Sequence, residues 1–270
     1  MFIDINAYVG HWPFRNLENN TLEGLDALAQ DNGITHMVIA NIEGFFFKDA
    51  NRANLTLLKK LKAYTGKTVF LPLAIVNPTY PEWERDAREM IAAGFAGFEI
   101  APFYHGYSFA PEMIFDSYTP VHYAAQVMAL AEELDVPVRV CTSIENFRAR
   151  SNYERHDNPT AADIYAMLSG NKNAHVFVTS FHPGAMGPAL NALVKERPNT
   201  YFELTATAAA ALHSPGVSNA MKVLTKEQLC YGSLAPFQYM EPTLITLEYE
   251  ASIDAEAAKI APARAFKALR

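Results

Sequence analysis

Two hydrophobic periods alternate along this chain. Short apolar runs predict buried strands, and longer stretches with apolar residues every third or fourth position predict helices packed by one face. Phe2 to Val9 opens as a strand. Thr21 to Asn32 reads as a helix with Leu22, Leu25, Leu28 and Ala29 on one face and Gly33 as its stop. His36 to Ala40 is the second strand, and Asn51 to Tyr64 a helix with Leu55, Leu58 and Leu61 inward. Val69 to Val76 is the third strand; Pro81 to Ala93 follows as a helix that turns Trp83, Ala87, Met90 and Ile91 inward. Gly97 to Ala101 is strand four. Thr119-Pro120 then makes an N-cap and first-turn pair for a helix reaching Leu134. Val138 to Cys141, His175 to Thr179, Thr200 to Leu204 and Leu229 to Gly232 are the remaining strands. Helices at Thr160 to Leu168, Pro188 to Lys195 and near Val217 to Leu224 separate them, with a helical tail from Thr243 to Leu269.

Eight strands alternating with helices predict βαβ units closed into a (β/α)8 barrel. No linker or low-complexity tract divides residues 1–270, so one domain is expected. In such a barrel the site lies at the C-terminal ends of the strands. The long connections Pro102 to Ser117 and Ser143 to Pro159 therefore belong to the functional face.

Composition narrows the function. The chain is 50% hydrophobic over 270 residues, enough for one sizeable core. Its net charge is -7 and it has no basic run, so it lacks the electrostatic footprint of a nucleic-acid or membrane-surface binder. Cys141 and Cys230 read as reduced buried thiols. No apolar run approaches the ~20 residues of a membrane helix, and the first residues carry no leader pattern. A soluble cytoplasmic protein is expected.

Ile3-Asp4-Ile5-Asn6-Ala7-Tyr8-Val9-Gly10, taken with the motifs that follow it in order and at consistent spacing, resembles the first-strand motif of the amidohydrolase superfamily, in its amidohydrolase-related branch. Gly94 to Ile100 followed by Pro102 resembles the fourth strand, Val136 to Thr142 the fifth, and Tyr231-Gly232-Ser233-Leu234-Ala235-Pro236-Phe237 the eighth. Lys259 to Phe266 resembles the closing helix. The resemblance implies a metal-assisted hydrolase, often dimeric, with two strand-one histidines, further histidines on strands five and six, and a strand-eight aspartate. Here the corresponding residues are Asn6 and Tyr8, Cys141 and Leu234, with His182 (or Ser180) matching strand six. Asn, Tyr and Leu do not replace a His, His, Asp shell. No cofactor is expected, with a residual Zn or Mn through His182 as the alternative.

Strand alternation places other groups around the barrel axis. Asp4 shares parity with Asn6 and Tyr8, Arg139 with Cys141; Glu99 and Glu203 face inward on strands four and seven. Charges enclosed there must pair, so Arg139 is expected to bridge at least one carboxylate. That network either fills the space of a metal centre or holds one carboxylate at a raised pKa for acid–base work. Tyr8, His11, Arg139, His182 and Glu203 are the catalytic candidates. Asn6, Glu99, Tyr104, His105, Cys141, Arg148 and Leu234 are the ligand-binding ones, Tyr104 and His105 as part of an aromatic lid. Phe45-Phe46-Phe47 is a candidate rim or oligomer contact, and Asn77 a turn former. Three functions stay open. One is a metal-independent hydrolase or lyase for a small carboxylated or cyclic substrate. The others are an inactive barrel binding a ligand or partner, and a hydrolase with one residual metal site.

Overall fold

The computed structural model describes residues 1–113, 119–145, 159–181, 186–204, 222–249 and 253–270. Its strands are β1 (Ile3–Val9), β2 (His36–Asn41), β3 (Val69–Ile75), β4 (Gly97–Ile100), β5 (Val138–Cys141), β6 (Val176–Thr179), β7 (Thr200–Leu204) and β8 (Leu229–Tyr231). They form one eight-stranded sheet in sequence order, and every pairing is parallel. The seam between β8 and β1 is drawn together by a parallel bridge from Ala7 to Ala235, where the Tyr8 N–H donates to the Ala235 carbonyl at 2.8 Å. This is the expected (β/α)8 barrel.

The described helices are α1 (Leu22–Asp31), α2 (Asn51–Ala63), α3 (Trp83–Ala92), α4 (Pro102–His105), α5 (Tyr123–Leu134), α6 (Ala161–Ser169), α7 (Pro188–Lys195), α8 (Glu241–Tyr249) and α9 (Ala255–Ile260). Thr21 caps α1 by accepting from the Gly24 N–H, and Thr160 forms a capping box with Asp163 on α6. None of the described helices is long and apolar enough to cross a membrane.

Three expectations are corrected. Helix α2 buries Ala53, Asn54 and Leu57, whereas Leu55 is exposed. The Asn54 side chain is drawn in because it bonds both the N–H and the carbonyl of Ile75. Helix α5 starts at Tyr123 and not at Thr119-Pro120. Val121 holds the chain extended there by exchanging two backbone hydrogen bonds with Glu112, at 2.8 and 2.9 Å. The connection after β4 begins with the short helix α4, which ends at Gly106 with φ +72°. Ala206 to Ala211 and most of the helix predicted near Val217 lie outside the described residues.

The interior of the barrel is a second apolar layer, distinct from the one between sheet and helices. It holds Ile3 and Ile5 from β1, Val38 and Ala40 from β2, Leu71, Leu73 and Ile75 from β3, and Phe177, Tyr201 and Cys230 from β6 to β8. Strand β1 enters it irregularly. Asp4 pairs with Met37, but Ala7 pairs with Ile39, so β1 spends one residue more than β2 between them.

Beyond β1 the chain turns at Gly10, with φ +104°. A Cβ there would lie 2.2 Å from the Asn41 Oδ1. Asn41 has little freedom to yield, because it bonds the Glu43 N–H and the Ala53 carbonyl. We expect Gly10→Ala to cost about 2 kcal/mol of unfolding free energy. Urea unfolding checks this, and a loss under about 0.5 kcal/mol would show the turn to be adaptable.

Candidate functional site

Two polar clusters are buried within the barrel. The first is built on Arg139, fully buried on β5. Its Nε and Nη2 donate to the two oxygens of Glu99 on β4, at 3.1 and 2.7 Å. Nη1 reaches across the barrel to the carbonyls of Ile5 and Val38, at 2.8 and 2.9 Å. Those carbonyls stand where the β1–β2 register shifts, so the guanidinium satisfies acceptors in the disturbed ladder. The Tyr8 hydroxyl donates to Glu99 Oε1 at 2.6 Å, and its ring lies 4.7 Å from the Arg139 Cζ. The expected bridge from Arg139 to a carboxylate is thus to Glu99.

Burial pulls the Arg139 guanidinium down, but Glu99 outweighs it and holds it above its ordinary value. Burial, then the charges of Cys141 and Glu99, push the Tyr8 phenol well above its own. Cys141 is also raised well above the thiol range, chiefly by burial. Tyr8 and Cys141 are therefore neutral donors at physiological pH, and neither supplies an anionic nucleophile.

The second cluster lies at the β7–β8–β1 seam. Glu203 accepts from Asn6 Nδ2 at 2.9 Å and from the Ser180 N–H at 2.7 Å. It packs on Gly232, where a Cβ would come within 2.2 Å of its Oε1, so only glycine leaves that space. Asp4 accepts from the Ser233 N–H and hydroxyl, at 3.0 and 2.5 Å, and from the Asn6 N–H at 3.0 Å. Burial raises Glu203 to about 8 against the pull of Asn6 and Ser180. Burial likewise raises Asp4 to about 6 against Ser233 and Asn6. The Asn6 Oδ1, Ser180 Oγ and Tyr231 hydroxyl are buried without hydrogen-bond partners. Ser180 and Leu234 also hold left-handed backbones, φ +59° and +56°, at the ends of β6 and β8. Such strain concentrates where a site requires it.

Simple alternation places Asp4 beside Arg139. The register shift breaks that parity and turns Asp4 to Ser233, while Asn6 and Tyr8 still reach the interior groups. Leu234 is buried in the apolar interior with Cys141. His11 is not brought to either cluster: it is exposed, and its N–H donates to Glu43. Tyr104 stacks on Phe45 at 5.1 Å, and His105 Nε2 bonds the Gly44 carbonyl at 3.0 Å. Asn77 accepts from the Thr79 N–H and hydroxyl, as a turn former does. Arg148, Arg150, Arg155 and His182 lie outside the described residues. The pattern reading missed Ser233 and Gly232 as supports of the two carboxyls. Only the Gly-Ser pair directly after β8 hints at them.

At the Arg139 cluster the donors described are already engaged. Both Glu99 oxygens are held by Arg139 and Tyr8. Leu234 offers no donor, and Cys141 is a neutral thiol. Among the described residues no group of three His, Cys, Asp or Glu side chains is placed to hold a metal ion.

The family profile described as amidohydrolase matches residues 18–260. No curated protein sequence matches the chain. Among solved structures, 2,6-dihydroxybenzoate decarboxylase from Rhizobium superposes with a TM-score of 0.66 at 13% identity, covering 99% of this chain and 98% of that one. A dihydroxybenzoic acid decarboxylase from a Polaromonas species, with bound manganese and the inhibitor 2-nitroresorcinol, gives 0.63 at 14% identity over 100% and 97%. The 5-carboxyvanillate decarboxylase of Sphingomonas paucimobilis gives 0.63 at 12% over 98% of each chain. At these identities the likeness to the three structures is one of fold.

Proposed function

The chain belongs to the amidohydrolase family, and on that premise we propose that it is a metal-independent hydrolase or lyase for a small carboxylated or cyclic substrate. The observation that carries this reading is Glu203, a buried carboxyl raised to about 8 beside a second carboxyl raised to about 6. Two titratable groups with separated pKa values are what acid–base chemistry near neutrality needs. Glu203 holds the proton that goes to the leaving group or to a ring carbon. Asp4 keeps Asn6 and Ser233 oriented around it. The unpartnered Asn6 Oδ1 and Ser180 Oγ are the polar groups left to meet a substrate. Arg139, Glu99 and Tyr8 form a rigid floor, with Cys141 and Leu234 as its apolar border. His182 and Arg148 belong to the same reading, as substrate contacts from the loops after β6 and β5. The structural neighbours named as decarboxylases of aromatic acids support a small carboxylated substrate. The two buried free thiols support a reducing, cytoplasmic setting; a homodimer is carried over from the family.

A screen of lactones and aromatic carboxylic acids tests this, run with chelator and separately with added zinc or manganese. Turnover is expected to survive the chelator, and Glu203→Gln to lower kcat by about 100-fold. Activity that appears only with added metal, or that Glu203→Gln leaves intact, would overturn it. A second reading has its own support, because Tyr8, Glu99, Arg139 and Cys141 are all buried and bonded to one another or packed together. A barrel filled in this way binds a ligand without transforming it. Saturable binding without turnover of any compound in the screen would select that reading.

A further inference from the structure

The connection from β1 to α1 is pinched at its neck. The Gly10 N–H donates to the Asn20 carbonyl at 2.9 Å, and the Asn20 Nδ2 donates to the Gly10 carbonyl at 3.0 Å. Both ends of the loop have left-handed backbones, Gly10 at φ +104° and Asn19 at φ +59°. Residues 11–19 thus form a compact loop with its ends together, a shape common at functional positions.

Side chains hold this loop down. Among the described residues, no backbone group from Trp12 to Asn19 bonds anything outside the loop. The Trp12 ring is buried, 5.0 Å from Phe237 and 5.3 Å from Phe46. Phe237 in turn meets the Tyr8 ring at 6.1 Å, and Tyr8 lies over Arg139. Arg15 is the strap. Its Nε donates to Glu145, in the loop after β5, at 2.5 Å, and its Nη2 to the Phe237 carbonyl, in the loop after β8, at 3.0 Å. One side chain ties three loops together.

The closed position leaves polar groups short. The Trp12 indole N–H and the second Glu145 oxygen are buried without partners. Closure therefore forfeits hydrogen bonds that water restores once the loop lifts. The Arg15 side chain is 40% exposed, and an ion pair that reaches solvent is weak enough to break and remake.

We propose that residues 11–19 are a hinged cap on the barrel. The loop swings about Gly10 and Asn19, lifts Trp12 off Phe237 and Phe46 and admits a small ligand, and the Arg15–Glu145 pair latches it shut. Asn6, Tyr8 and Glu203 are all buried, so a ligand needs an opening to reach them.

Trp12 reports the motion. In the full chain carrying Trp83→Phe it is the only tryptophan, and acrylamide quenching reads how freely its ring meets solvent. Arg15→Gln and Glu145→Gln should each raise the quenching constant by about threefold and shift the emission to the red. Hydrogen exchange, read on chains that keep both tryptophans, should quicken by about threefold for the amides of residues 11–19 and stay unchanged in β2 and β3. Arg85→Gln, which breaks exposed ion pairs at α3, should move neither signal. Neither readout involves turnover, so failure of the hydrolase or lyase reading leaves this test intact. The proposal is overturned if either latch variant keeps the parent's quenching and exchange, if β2 and β3 quicken in step with the loop, or if Arg15→Gln does not fold. The last two outcomes would make Arg15 a brace of the whole barrel.

Discussion

Arg139→Met is expected to lower the unfolding free energy by about 3–5 kcal/mol, the cost of breaking a buried ion pair by removing one partner. The substitution leaves Glu99 buried with Tyr8 as its remaining side-chain donor. It also strips the Ile5 and Val38 carbonyls of a shared donor at the one place where the β1–β2 ladder is irregular. Glu99→Leu alone should cost a comparable amount by stranding the guanidinium. The double variant should lose much less than the two single losses together, because no charge is then left unpaired in the interior. Urea unfolding of the three variants at neutral pH measures this. If Arg139→Met stays within about 1 kcal/mol of the parent, the guanidinium does not hold the barrel together.

The second expected result is that stability falls as pH rises from about 5 to about 8, contrary to the behaviour of ordinary surface carboxylates. Glu203 is raised from 4.5 to about 8 and Asp4 from 3.8 to about 6. Between the unfolded and folded values the native state binds more protons than the unfolded chain, so stability declines with pH. The contribution is complete below the unfolded pKa and gone once pH passes the folded one. Each unit of raised pKa is worth about 1.4 kcal/mol, so the summed effect is of order several kcal/mol. Exposed carboxylates such as Asp135 are lowered by Arg270 and act in the opposite direction, below their usual range. Denaturation midpoints measured at half-unit intervals should therefore drop through neutrality. Glu203→Gln should remove the fall above pH 6 and leave only the smaller part due to Asp4. A flat profile, or one that rises to pH 8, would mean that the seam carboxyls titrate normally.

Both results rest on residues whose inward direction came partly from pattern. Glu99, Arg139 and Glu203 sit on regular strands, where alternation fixes the face, and each is indeed enclosed by the barrel. Asp4 sits on an irregular strand, and alternation misdirects it. No residue in Ile3 to Val9 advertises the register shift, because it is decided by how β1 pairs with β2. The support of Glu203 was hidden for a similar reason. Asn6, Ser180 and Gly232 come from three strands or strand ends, and only closure of the barrel brings them to one carboxyl. The loops added less. His11 and His105 look alike as loop histidines, yet one is exposed and the other is half-buried against Gly44.

The order of strands and helices, the single barrel and the enclosure of charged residues within it follow from the sequence alone, because hydrophobic period and strand parity are local properties of the chain. Which carboxyl pairs with Arg139, and which is left holding a proton, was decided by tertiary structure. Glu99 lies beside Arg139 in the β4–β5 register and takes the guanidinium. Glu203 lies near the seam, where the donors that reach it among the described residues are neutral. Desolvation raises Glu203, and its hydrogen bonds from Asn6 and Ser180 do not offset it.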